Sequence, residues 1–183
     1  MTKPKILICD DDQSLVQNLL MLLSESYDPV AALTVDEGIA ILKNSVARVD
    51  IEARLSVVII DLSFQTSSTG FDLDGLSVLK EAMRDQFIEP IIFTGHGSAV
   101  SFNEMASHGP FRFISKGGGV GSPVINNLKA SIAGAIACRN SVIGIARAIE
   151  RFRLQRPQDP DVFTHCVTVF EHIQQIRGRR SGL

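Results

Sequence analysis

Five short apolar segments, each followed at once by a polar or acidic residue, constrain the fold of this chain more than any other feature. They alternate with stretches in which apolar residues recur at helical spacing. Nearly continuous apolar strands are typical of parallel sheets that helices bury on both faces. The pattern therefore predicts an α/β fold with a doubly wound, five-stranded parallel sheet. The predicted strands cover residues 5–9, 29–33, 55–60, 91–93 and 111–114.

The helices predicted between these strands include one that begins with a capping box, Thr34 followed by Glu37. Others are expected over 75–83 and 98–107. After the last strand the chain becomes helical, with a long helix over 122–154 and a terminal helix over 161–177. This organisation predicts a compact domain over 1–121 and a helical C-terminal extension over 122–183.

The long helix carries an apolar stripe that soluble proteins rarely leave exposed. Two arrangements would cover it. A second copy of the chain could pair through residues 122–154 to make a homodimer, or the terminal helix could fold back over it. The sequence favours the homodimer slightly and leaves both open. The stripe consists of Ile125, Ile132, Ile136, Ile143 and Ile149.

Composition and charge exclude several classes of protein. With 183 residues, of which 45% are hydrophobic and 21% charged, the chain can bury a core. No apolar run approaches the roughly 18 residues of a membrane span, and three widely spaced cysteines favour a reducing cytoplasm. Residues 1–116 carry a net charge of −7 and residues 117–183 a net charge of +5. Nucleic acid remains an unlikely partner for the basic part, since no pair of recognition helices follows it.

Polar groups that follow the strands predict the site. The first strand is followed by Asp10, Asp11 and Asp12, the third by Asp61, the fourth by Thr94 and the fifth by Lys116. Ligands of parallel sheets bind at the carboxyl ends of the strands, where clustered carboxylates require a cation such as Mg²⁺. Asp61 would be a nucleophile toward phosphorus, with Thr94 and Lys116 contacting the phosphoryl oxygens. Asp12 is expected to cap the first helix instead.

Five strings in order resemble the receiver domain of two-component response regulators: residues 6–12, 57–62, 74–76, 91–95 and 113–116. The resemblance covers about residues 4–121 and implies a flavodoxin-like fold. It implies that Asp10, Asp11, Asp61 and the backbone carbonyl of Ser63 hold Mg²⁺. It also implies that Asp61 accepts phosphate, that Thr94 and Lys116 contact it, and that Phe113 is an aromatic switch. The implied partner is a sensor histidine kinase or phosphotransfer protein, and the chain would be no enzyme beyond its own phosphorylation chemistry.

The sequence departs from the family pattern in three places. The 62–73 loop is longer than usual and lacks its usual proline, Gly117 stands in place of a proline, and Phe113 stands where tyrosine is commoner. No catalytic group is lost. Two alternatives stay open: a pseudo-receiver that binds partners without phosphorylation, and a regulator that contacts nucleic acid through its basic C-terminal third.

Overall fold

The computed structural model describes residues 2–64, 74–95, 112–116, 122–155 and 160–176, which include one five-stranded sheet. Its strands are β1 Lys5–Cys9, β2 Asp28–Ala32, β3 Leu55–Ile60, β4 Glu89–Thr94 and β5 Arg112–Ser115. Their order is β2-β1-β3-β4-β5, and every neighbouring pair is parallel. The predicted fold class is confirmed.

Five α-helices are described, and a short 3-10 helix, Ile51–Ala53, precedes β3. They are α1 Gln13–Leu23, α2 Val35–Val46, α3 Gly75–Ala82, α4 Ser122–Gln155 and α5 Pro160–Ile176. The long and terminal helices are confirmed to within one residue at each end. The terminal helix begins at Pro160, one residue earlier than predicted, so Asp161 lies inside its first turn. The helix predicted over 98–107 lies outside the described residues.

Strand β4 begins two residues earlier than predicted, and the reason is its proline. Proline donates no backbone hydrogen bond, so a proline in a sequence argues against a central strand at that position. The predicted strand therefore began only after Pro90. In the sheet Pro90 pairs with Val58 of β3, and among the described residues the pairing of β4 with β5 begins at Ile91 with Arg112. Strand β4 thus includes a proline that the sequence placed before the strand.

The two faces of the sheet are covered by different helices. On one face Leu42 of α2 and Leu79 of α3 pack in the same buried cluster as Val58. On the other, Leu19 of α1 and Ile132 of α4 pack with residues of β1, β3 and β4. This is the doubly wound arrangement, and it leaves the carboxyl ends of the strands at one edge of the molecule.

A third buried cluster lies beyond the sheet, where the far half of α4 continues. Val142 and Ile143 of α4 pack there with Phe87 and with Phe170 of α5. Ile149 packs against the same cluster. The terminal helix thus folds back over the far half of the apolar stripe, while the near half packs against the sheet. Within one chain the stripe is therefore covered without a second copy.

Phe170 holds this arrangement together, since its side chain is fully buried. Replacing Phe170 with alanine should lower the free energy of unfolding by about 3–5 kcal/mol, through lost burial and the cavity left behind. Chemical denaturation measures the change. The control is Val169→Ala, because Val169 is 45% exposed on the same turn. Equal effects of the two substitutions would contradict the observed packing of α5.

By length and composition alone, Pro123–Gln155 is apolar enough to cross a membrane, which sequence inspection did not foresee. Core helices of soluble proteins share this property. In the structure Leu128, Ile132 and Ala135 of this helix are completely buried against the sheet. This packing is typical of a core helix. The length and apolar composition of Pro123–Gln155 are therefore weak evidence for a membrane span.

Candidate functional site

The register of the sheet brings two aspartates together. Cys9, the last residue of β1, pairs with Ile60, the last residue of β3. The next residues, Asp10 and Asp61, therefore leave neighbouring strands side by side, and the backbone N–H of Asp61 donates to the carbonyl of Cys9 at 2.8 Å. Both carboxylates are buried, with Asp10 2% and Asp61 7% exposed.

A third strand end adds the cation predicted from the sequence. Thr94 pairs with Ser115 at the ends of β4 and β5, and the backbone N–H of Lys116 donates to the Thr94 carbonyl at 2.9 Å. The Lys116 ammonium then lies 2.7 Å from Asp10 Oδ2 and 2.6 Å from Asp61 Oδ2. One ammonium thus joins both buried carboxylates.

The remaining oxygens of these carboxylates accept backbone hydrogen bonds. Asp10 Oδ1 accepts from the N–H of Asp12 at 3.0 Å, and Asp61 Oδ1 accepts from the N–H of Ser63 at 3.2 Å. Each carboxylate is therefore held from both sides and has a fixed orientation. The prediction that the Ser63 carbonyl binds a metal stays a prediction.

Burial and ionic partners shift the pKa values of this cluster. Burial raises the pKa of Asp10, and the hydrogen bond and charge of Lys116 offset only part of that rise. Burial also opposes the charged form of Lys116, but the hydrogen bonds and negative charges of Asp10 and Asp61 together outweigh it and raise the pKa of Lys116. The ammonium is therefore charged at neutral pH and neutralises part of the carboxylate cluster.

The donor set fits a hard divalent cation. Asp10, Asp11 and Asp61 each offer a carboxylate oxygen, and these three oxygens lie within 4.8 Å of one another. Oxygen-only ligands with room for water suit Mg²⁺. Asp12 is not part of this group, because its carboxylate caps α1 by accepting from the N–H of Leu15 at 3.0 Å, as predicted.

Gly75 is a residue whose role sequence analysis missed. An alanine Cβ there would lie 2.1 Å from the carbonyl oxygen of Asp61 and 2.7 Å from Cα of Leu62. The N-terminus of α3 therefore contacts the backbone that carries Asp61, and the N–H of Gly75 donates to the Leu62 carbonyl. The only sequence signal was the glycine itself, in the string 74–76.

The other predicted residues are placed as follows. Thr94 is fully buried at the end of β4, and Phe113 is half-buried against the cluster under α2 and α3. Cys9 packs in that cluster, and burial raises the pKa of its thiol. Residues 65–73 and Gly117 lie outside the described residues.

Comparison with solved structures identifies the class of this fold. A response regulator receiver domain from Clostridium thermocellum is 24% identical, with a TM-score of 0.57, and the match covers 75% of this chain and 97% of that one. The signal receiver domain of an HD domain-containing protein from Pseudomonas fluorescens is 20% identical, with a TM-score of 0.58, covering 77% and 92%. The sequence matches no protein-family model and no curated protein.

The same fold occurs in a structure described as an adenylate cyclase from Rhodopirellula baltica. It is 22% identical, with a TM-score of 0.61, and the match covers 82% of this chain and 98% of that one. The chain thus has the fold of response regulator receiver domains, as the resemblance implied. At the carboxyl edge of its sheet it carries an acidic cluster able to hold a metal ion.

Proposed function

We propose that this protein is a response regulator that accepts a phosphoryl group on Asp61 in a Mg²⁺-dependent reaction. The observation that carries the proposal is the contact of one ammonium with two buried carboxylates, Lys116 with Asp10 and Asp61. A third carboxylate, Asp11, lies close enough to share a cation with them. Such a group has the charges that a phosphoryl group and a divalent ion would need.

In the proposed reaction, a carboxylate oxygen of Asp61 attacks the phosphorus of a phosphohistidine on a sensor kinase or phosphotransfer protein. A P–O bond forms, the P–N bond breaks, and the imidazole leaves with its electron pair. The Asp61 carboxylate is already oriented by the N–H of Ser63. Mg²⁺ held by Asp10, Asp11 and Asp61, with the Ser63 carbonyl, would supply charge neutralisation at the phosphoryl oxygens.

Phosphorylation would change the contacts of Lys116. Its ammonium would turn from the carboxylates to the new phosphoryl oxygens, which the Thr94 hydroxyl also contacts. Lys116 directly follows β5, which carries Phe113, so this change acts on the strand with the proposed aromatic switch. The output would be a protein contact in the cytoplasm, made by the receiver over 1–121 together with the extension over 122–183.

Contacts of the basic extension favour a protein partner over nucleic acid. Arg147 pairs with Glu52 at 2.7 Å, and Arg153 lies 3.6 Å from Glu150. These two arginines are already paired within the chain, which leaves fewer cations for contacts with a nucleic-acid backbone than the sequence suggests.

Acetyl phosphate with Mg²⁺ should add one phosphate to the full chain, measured by intact mass, and chelation of Mg²⁺ should prevent it. Asp61→Asn should add none, because the amide is not a nucleophile of this kind. The control is Asp36→Asn, which removes an exposed carboxylate from α2 and should label normally. Full labelling of Asp61→Asn at another residue would contradict the assignment.

A further inference from the structure

A cavity of about 420 Å³ lies at the edge of the sheet opposite to Asp61. The segment before β1, the 3-10 helix and the far half of α4 line it, and it is open to solvent on one side. Its charged lining residues are three cations, Lys3, Arg139 and Arg147, and one carboxylate, Glu52, which give a net formal charge of +2. The volume is within the usual range of small-molecule sites.

Arg139 is the most unusual residue of this wall, because its side chain is charged and only 4% of the residue is exposed. Its Nε donates to the carbonyl of Phe87 at 2.9 Å, and one Nη donates to the carbonyl of Ile51. Neither bond goes to a carboxylate. A guanidinium has five N–H donors, and the hydrogen bonds found among the described residues use two of them.

The nearest acidic side chains do not neutralise this guanidinium. Asp85 pairs with Arg54 at 3.2 Å, and Glu52 pairs with Arg147 at 2.7 Å. Both carboxylates influence Arg139 only at longer range. A buried charge without a partner ion is costly, and an anion in the cavity would remove that cost.

We propose that this cavity binds the phosphate group of a small phosphorylated metabolite, with Arg139 as the principal contact. The planar fork of a guanidinium matches two oxygens of a phosphate, and a phosphate dianion offsets the charge of the wall. Ile136 and Ile143 supply apolar wall for the organic part of the ligand. The proposal does not depend on phosphorylation of Asp61.

Binding is tested on the full chain carrying Asp61→Asn, without Mg²⁺, so that the carboxylate cluster does not contribute. The probes are AMP and glucose 6-phosphate, with adenosine, glucose and succinate for comparison. At least one phosphorylated probe should raise the melting temperature by a few degrees and bind in a calorimetric titration. Its dephosphorylated counterpart should not bind, and succinate should bind more weakly.

Two variants test the site itself. Arg139→Gln should lower the affinity for the phosphorylated probe about tenfold or more. Because Arg139 also holds the carbonyls of Ile51 and Phe87, Gly144→Leu is the second variant. Gly144 lines the cavity, and a Cβ there meets nothing within 4 Å, so the leucine should fill the cavity and abolish binding with every charge retained.

Arg151→Gln is the matched control, since it removes an exposed arginine from α4 outside the cavity wall and should bind as the parent does. The proposal is overturned if neither phosphorylated probe binds, or if succinate binds as tightly. Unchanged binding by Gly144→Leu would overturn it as well.

Discussion

Replacing Gly75 with alanine should prevent phosphorylation of Asp61 and lower the free energy of unfolding by about 3 kcal/mol. The new Cβ would lie 2.1 Å from the carbonyl oxygen of Asp61. Because the atoms that it meets belong to the backbone, no side chain can change its rotamer to relieve the clash. Either α3 moves away from β3 or Asp61 leaves its place beside Lys116. Intact mass with acetyl phosphate and denaturant titration measure the two effects.

The matched control is Gly134→Ala in α4. An alanine Cβ there would lie 3.4 Å from the flexible guanidinium of Arg112, at ordinary contact distance. Alanine is favoured over glycine in helices by about 1 kcal/mol, so this variant should be as stable as the parent or slightly more stable and should label normally. Normal labelling of Gly75→Ala would show that the close approach of α3 to Asp61 does not matter for the site.

Replacing Lys116 with methionine should cost about 3–5 kcal/mol at neutral pH, because it leaves two buried carboxylates without their shared cation. Methionine retains most of the side-chain volume, so the loss is that of the ammonium and its hydrogen bonds. The free energy of unfolding in urea, without Mg²⁺, measures it. Adding Mg²⁺ should restore more stability to this variant than to the parent, since the ion offsets the same carboxylates.

The dependence of this effect on pH follows from the pKa shifts. The pKa of Asp10 is raised by burial above its ordinary 3.8, although Lys116 counteracts the rise. Between 3.8 and the raised pKa of Asp10, the folded state therefore binds more protons than the unfolded state. The free energy of unfolding falls as pH rises through this window. Without Lys116 the pKa of Asp10 rises further, which widens the window.

The pKa of Lys116 is itself raised above its ordinary 10.5. Its contribution to stability is thus fully present at neutral pH and is lost only as pH rises above that value. The cost of Lys116→Met should accordingly be largest near neutral pH and shrink toward roughly pH 4, where carboxyl groups protonate. Lys129→Met, which removes an exposed lysine from α4, should show neither the loss nor the pH dependence.

The sequence predicted the sheet well because its central strands are buried on both faces and read as nearly unbroken apolar runs. β3 is buried at every position, and its bounds were predicted without error. The edge strand β2 alternates in exposure and starts one residue earlier than predicted. Its partner β1 supplies hydrogen bonds on one side only, so the sequence of an edge strand is under fewer constraints.

The sequence predicted those parts of the candidate site that depend only on where the strands end. That Asp10, Asp61 and Lys116 meet follows from three parallel strands ending at one edge. The position of Gly75 against the Asp61 carbonyl did not follow, because it depends on how closely α3 approaches the end of β3, which the apolar spacing of the helix does not determine. The packing of Phe170 on Phe87 was also not predictable, since the sequence admitted either a second chain or a folded-back helix.

The unbroken course of α4 has a mechanical consequence. The helix runs for 34 residues, about 51 Å at its usual rise, with no proline after Pro123 to act as a hinge. Arg139 ties its midpoint to the carbonyls of Ile51 and Phe87, and Leu128 and Ile132 hold its first half against the sheet. Because the helix is unbroken, a change of about 5° in its tilt on the sheet would move its far end, which packs with α5, by about 2 Å relative to Arg139.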